Sequence, residues 1–104
     1  MYMILQLYKA KYLDDVMMAL SEAGVEDTIV LSGESLNHKM TFSMPLFAGF
    51  RNSFGSEKQF TNLIMAIADE TQIDFMLDEL KLSDVKFVDD KIGKILLLPI
   101  HKTI

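Results

Sequence analysis

The chain has 104 residues, a formal net charge of -5, an apolar fraction of 50% and no cysteine. That length holds one domain, 1–104, with one core, and the apolar content excludes a disordered chain. The acidic balance argues against general binding to nucleic-acid backbones or anionic membranes, and the missing cysteines rule out a disulfide framework and suit a reducing cytoplasm.

Residues 2–8 are almost continuously apolar and too few for a typical helix, which predicts a central strand. The lysines follow this run instead of preceding it, the wrong order for a signal peptide, and no apolar run approaches the ~20 residues that span a bilayer. Leu13, Val16, Met17 and Leu20 recur at helical spacing. Asp14 and Asp15 suit the positive end of that helix, and Gly24 stands where its C-terminal cap belongs. Residues 28–32 are rich in β-branched side chains and predict a second strand.

From Gly33 to Gln59 the periodicity dissolves, broken by Asn37, Pro45, Gly49 and Gly55. A connection this long inside a small domain is usually functional or mobile. It carries Lys39, Arg51 and Lys58 beside Phe42, Phe47, Phe50 and Phe54, a mixture typical of contact surfaces. Residues 60–68 predict a third strand. Asp69 and Gln72 have the spacing of a capping box, and Ile73, Met76, Leu77 and Leu80 follow as an amphipathic helix. Residues 85–88 predict a short extended piece, 89–93 a turn, and 95–100 a last strand with Pro99 at its end or edge. Met17, Met18, Met65 and Met76 all fall at core spacing.

The order strand, helix, strand, loop, strand, helix, strand predicts an α+β, ferredoxin-like βαββαβ sandwich. Helices would cover one face of the sheet. The strands are apolar on both sides, so the other face is best buried against another subunit, and the sequence predicts an oligomer.

Three segments carry a family resemblance. The first is Lys9 with Leu13, Asp14, Asp15, Val16, Ala19, Leu20, Glu22 and Gly24. The second is Ala68 with Asp69, and the third is Gly93, Lys94 and the apolar run through Ile100. Together they resemble the P-II nitrogen-regulatory signalling family, and Pro45, Leu46, Phe47, Ala48, Gly49, Phe50 and Arg51 bring the chain closer to a divergent P-II-like branch. The resemblance implies a compact homotrimer that binds ATP, ADP or AMP in clefts between subunits. It implies a long loop, here 33–59, that touches a regulated enzyme or membrane transporter. By the same resemblance Gly93 and Lys94 match a phosphate-binding turn, with Lys91 beside them. A glycine lets backbone amides approach phosphate and a lysine supplies charge. The chain departs from the pattern at Ile29, where the family has a base-contacting Thr, and at Ile64, where it has a loop-organising Glu. The 33–59 loop also lacks a tyrosine for uridylylation.

No constellation for catalysis is present. Asp14 and Asp15 are adjacent on a helix and do not face each other, and no serine lies in an activating motif. His38 and His101 are the sole support for a metal-tolerance protein of the CutA type, and no metal site is predicted from them. The sequence therefore predicts a non-enzymatic P-II-like regulator, with a nucleotide-free trimeric scaffold or a CutA-like protein as the alternatives.

Overall fold

A computed structural model describes residues 1–36 and 60–104. Strand β1 (Tyr2–Leu7) leads through a 3-10 turn (Ala10–Tyr12) into helix α1 (Leu13–Glu22) and strand β2 (Glu26–Glu34). Strand β3 (Phe60–Ile67), helix α2 (Glu70–Leu82) and strand β4 (Gly93–Leu98) follow. The strands form one antiparallel sheet in the order β2-β3-β1-β4. This is the ferredoxin-like α+β arrangement that the element order predicts.

Strand alternation sorts the side chains. On β1, Met3, Leu5 and Leu7 point to the helix side and are fully buried. Each contributes roughly 1.5–3 kcal/mol by leaving water, which makes β1 the anchor of the core. Its neighbours on that face are Ile64 and Ala66 of β3 and Ile95 and Leu97 of β4. Val16, Ala19 and Leu20 of α1 and Ile73, Met76 and Leu80 of α2 close over them. This helix-facing set is thus satisfied within the chain. The other face is not: Ile4 sits between Met65 and Leu96, Tyr2 between Ile67 and Leu98, and Ile29 beside Met65. Ile29, Leu31, Ile67, Leu96 and Leu98 all remain exposed there.

Helix ends follow from local chemistry. The Asp69 carboxylate accepts from the Gln72 backbone N–H at 2.8 Å while the Gln72 side chain accepts from the Asp69 N–H at 3.0 Å, the reciprocal capping box read from the sequence. The Gln72 amide also donates to the carbonyls of Ala23 and Gly24, so one residue joins the start of α2 to the end of α1. At that end the Val25 N–H donates to Leu20 and the Gly24 N–H to Ser21, with Gly24 at φ 76°. This is a Schellman closure with glycine in the left-handed position. The end of α2 repeats it, Val85 donating to Leu80 and Asp84 to Lys81, but the left-handed residue is Asp84, at φ 59°. We therefore expect Asp84→Gly to raise stability by about 0.5–1 kcal/mol, the relief of the Cβ clash less the entropy gained by the unfolded chain. Urea denaturation would check this, and a lower midpoint would show that the Asp84 side chain contributes more than its strain costs.

Several boundaries differ from the sequence-based expectation. β2 runs over Glu26–Glu34 and not 28–32, because ladder pairing with β3 carries polar residues that lack β propensity. A register shift between Glu26 and Ile29 accommodates Asp27 at φ 53°. Gly33 and Glu34, expected to open the long loop, still pair with Thr61 and Phe60, one to two residues beyond the point where β1 ends opposite Asn62. The remainder of that loop, 37–59, lies outside the described residues. β3 ends at Ile67, although the Ala68 N–H still donates to the Met1 carbonyl at 3.0 Å. Residues 85–88 are not extended but enter a turn, and β4 occupies Gly93–Leu98 instead of 95–100. Pro99 comes directly after it, as a residue without an N–H for the ladder should. Of the four methionines at core spacing only Met76 is buried, and Met18 is 66% exposed.

Candidate functional site

The turn between α2 and β4 is a third left-handed closure. The Ile92 N–H donates to Phe87 at 3.0 Å and the Lys91 N–H to Val88 at 3.2 Å, and Lys91 has φ 50°. The Tyr8 and Lys9 N–H groups both donate to the Ile92 carbonyl, and the Lys9 Nζ donates to the Asp90 carbonyl at 2.9 Å. Phe87 and Ile92 are buried beneath the turn. Backbone bonds, one cation and two apolar side chains thus fix it to the end of β1.

Gly93 opens β4 directly after this turn. A Cβ there would lie 2.3 Å from the Gln6 carbonyl oxygen and 2.8 Å from the tip of the Phe87 ring. The glycine is required by close approach of backbone and ring. The positive φ that a turn glycine would supply belongs instead to Lys91.

Between α2 and the β4 edge lies an open groove of about 670 Å³. Ile73 and Leu77 form its α2 wall, Ile95 and Leu97 its β4 wall, and Phe87 and Val88 its end, with Tyr8 also lining it. Lys91, Gly93 and Lys94, grouped in the sequence through the family resemblance, all line this groove. Lys94 is one residue out of phase with Ile95, so strand alternation directs its side chain to the uncovered face of the sheet. Lys91 is the cation on the groove side. Apolar walls of this kind accept a flat or aliphatic ring, and the ammonium group favours an anion at the rim.

The two departures at Ile29 and Ile64 have structural meanings. Ile64 is fully buried opposite Leu5, where an unpaired carboxylate would be costly. Ile29 stands on the uncovered sheet face. His101 is exposed, and His38 lies outside the described residues. Among the described residues, no group of three or more His, Cys, Asp or Glu side chains is placed to hold a metal ion. No described helix is long and apolar enough to cross a membrane. The sequence-based site lacks Tyr8, Lys9, Phe87 and Ile92. The apolar alternation of Val85 and Phe87 was a signal for them, since it marks burial as much as strand.

No family model matches the chain, and no curated protein matches it. Among solved structures it is similar to CPII, a nitrogen regulatory PII-like protein from Thiomonas intermedia K12, solved bound to ADP, AMP and bicarbonate. The similarity covers 91% of this chain and 79% of that one, at 16% identity and a TM-score of 0.47.

Proposed function

We propose that the chain is a P-II-like regulatory protein without catalytic activity. It takes a small anionic effector of the adenine-nucleotide class at the groove beside Lys91, Gly93 and Lys94. It works as a cytoplasmic homotrimer and passes the effector's state to a partner enzyme or transporter through the 33–59 segment. The observation that supports this most is the gathering of those three residues on one groove, behind a turn fixed to β1. Calorimetric titration with ATP, ADP and AMP tests it. Lys91→Ala is expected to weaken binding by about 1–3 kcal/mol, the range for a lost charge-assisted hydrogen bond, and Lys94→Ala by less, since the Lys94 side chain leaves the groove. Unchanged affinity in both would make the turn structural only. No binding of any nucleotide would leave the nucleotide-free scaffold.

The uncovered sheet face supports the oligomeric part of the reading. Exposed Ile29, Leu31, Ile67, Leu96 and Leu98 surround Ile4 and Met65, a contiguous apolar surface of a kind monomers rarely leave in water. Light scattering at micromolar concentration is expected to give three times the 11.8 kDa chain mass. Leu96→Lys should drive the assembly toward monomer. A monomeric unsubstituted protein would overturn the assembly.

A further inference from the structure

The helix layer has an outer surface that neither the sheet nor the β4 groove uses. α1 and α2 pack side by side and run antiparallel, because the strands they follow do. On the outer surface of this layer three large apolar side chains stand in solvent: Met18 at the seam, 66% exposed, and Phe75 at 45% and Leu82 at 83% on the side of α2 opposite its buried stripe. Phe75 and Leu82 are two helical turns apart and lie on one stripe of α2. Met18 lines a shallow depression of about 80 Å³ between the helices together with Asp15, Glu22, Glu79 and Ser83.

Charge around this strip is one-sided. Asp14, Asp15 and Glu22 of α1 and Asp74, Asp78 and Glu79 of α2 are carboxylates, and Lys81 is the one cation in either helix. Glu22 and Glu79 meet carboxyl to carboxyl across the seam. The hydrogen bond from Glu22, with some desolvation and the like charge, holds the Glu79 pKa above its ordinary value. Such a contact is relieved when a cation is brought to it. Within the two helices none is brought to it, since α2's lysine is on the side of α2 that faces Lys86 and Asp89.

We propose that the α1–α2 seam is a docking surface for a lysine- or arginine-bearing amphipathic helix of a partner protein. Its apolar stripe covers Met18, Phe75 and Leu82, and its cations pair with the flanking carboxylates. Apolar anchors inside a charged rim of one sign are the features by which a surface selects a helix of opposite charge. The seam lies on the side of the helices away from the sheet. Assembly through the uncovered sheet face leaves it open, and the proposal does not depend on effector binding at the groove.

The full chain, titrated by calorimetry with three synthetic peptides, tests this. One is an amphipathic helix with a leucine stripe and lysines opposite, the second has glutamates in place of the lysines, and the third keeps the lysines but has serines for the leucines. Only the first is expected to bind, with micromolar affinity. Paired Glu22→Lys and Glu79→Lys changes, and paired Met18→Ser and Leu82→Ser changes, should each weaken it about tenfold or more. Asp89→Lys with Asp90→Lys shifts the net charge by the same amount away from the seam, and should change affinity by less than about twofold. Circular dichroism would establish that the variants are folded. Equal losses from the two charge-reversal pairs would reduce the effect to net charge and overturn the proposal. So would binding of the serine peptide as tight as that of the leucine peptide, or no binding at all.

Discussion

Gly93→Ala is expected to destabilise the protein by about 3 kcal/mol, the upper range for overpacking a well-filled site. The added methyl group would have to occupy a position 2.3 Å from the Gln6 carbonyl and 2.8 Å from the Phe87 ring. The ring is held by its own burial and the carbonyl belongs to the central strand, so neither gives way cheaply. The register that sets Leu7 opposite Gly93 must shift for the methyl group to fit. Thermal and urea unfolding would show the loss directly. The same variant separates two roles for this glycine. If its purpose is to let phosphate approach the backbone, affinity falls while stability holds. If its purpose is the close contact of β1, β4 and the turn, stability falls first, and the groove is lost with it. An unchanged midpoint would mean that the contact relaxes without cost.

The second large effect is expected at Ile92. Its side chain is fully buried, its N–H donates to Phe87, and its carbonyl accepts from both Tyr8 and Lys9. Ile92→Ala keeps the backbone bonds but empties the space beneath the turn. The expected loss is about 2–5 kcal/mol, transfer and cavity terms together. It should be accompanied by faster amide exchange at Tyr8, Lys9, Lys91 and Ile92, since their hydrogen bonds are held by that packing. A loss below about 1 kcal/mol would show that the turn collapses onto the gap and is not anchored by this residue.

The elements whose signals are local were legible in the sequence. The α2 start was legible because a carboxylate and an amide three residues apart satisfy each other's backbone donors, and this needs no tertiary context. The end of α1 was legible because its left-handed residue is a glycine. The end of α2 and the following turn use Asp84 and Lys91 in the same conformation, and neither residue type announces it. The sequence accordingly predicts the last strand two residues late, at 95–100 and not Gly93–Leu98. β2 extends beyond the predicted 28–32 because Glu26, Gly33 and Glu34 are held by pairing with β3 and not by their own propensity. Helical spacing alone does not tell a side chain facing the sheet from one at the outer seam, which is why the sequence predicts core for Met18 and the structure exposes it. At the site, Lys91, Gly93 and Lys94 were singled out by resemblance, and the structure brings them to one groove. Of the residues that fix the turn, Phe87 is marked locally by its apolar alternation with Val85, whereas Tyr8 and Lys9 are distant in sequence and carry no such mark.

The outer end of the β2–β3 ladder has a consequence for how such a protein changes over time. Glu34 and Phe60 are register partners, so the chain leaves the sheet and re-enters it at adjacent positions. Whatever is inserted between them is attached as a cassette. Closing a loop costs only about 0.6 kcal/mol more for each doubling of its length. The core residues on β1 and β3 are paired with each other further along the ladder. Exchanging the segment between these two positions leaves the pairing of the strands on either side of it unchanged.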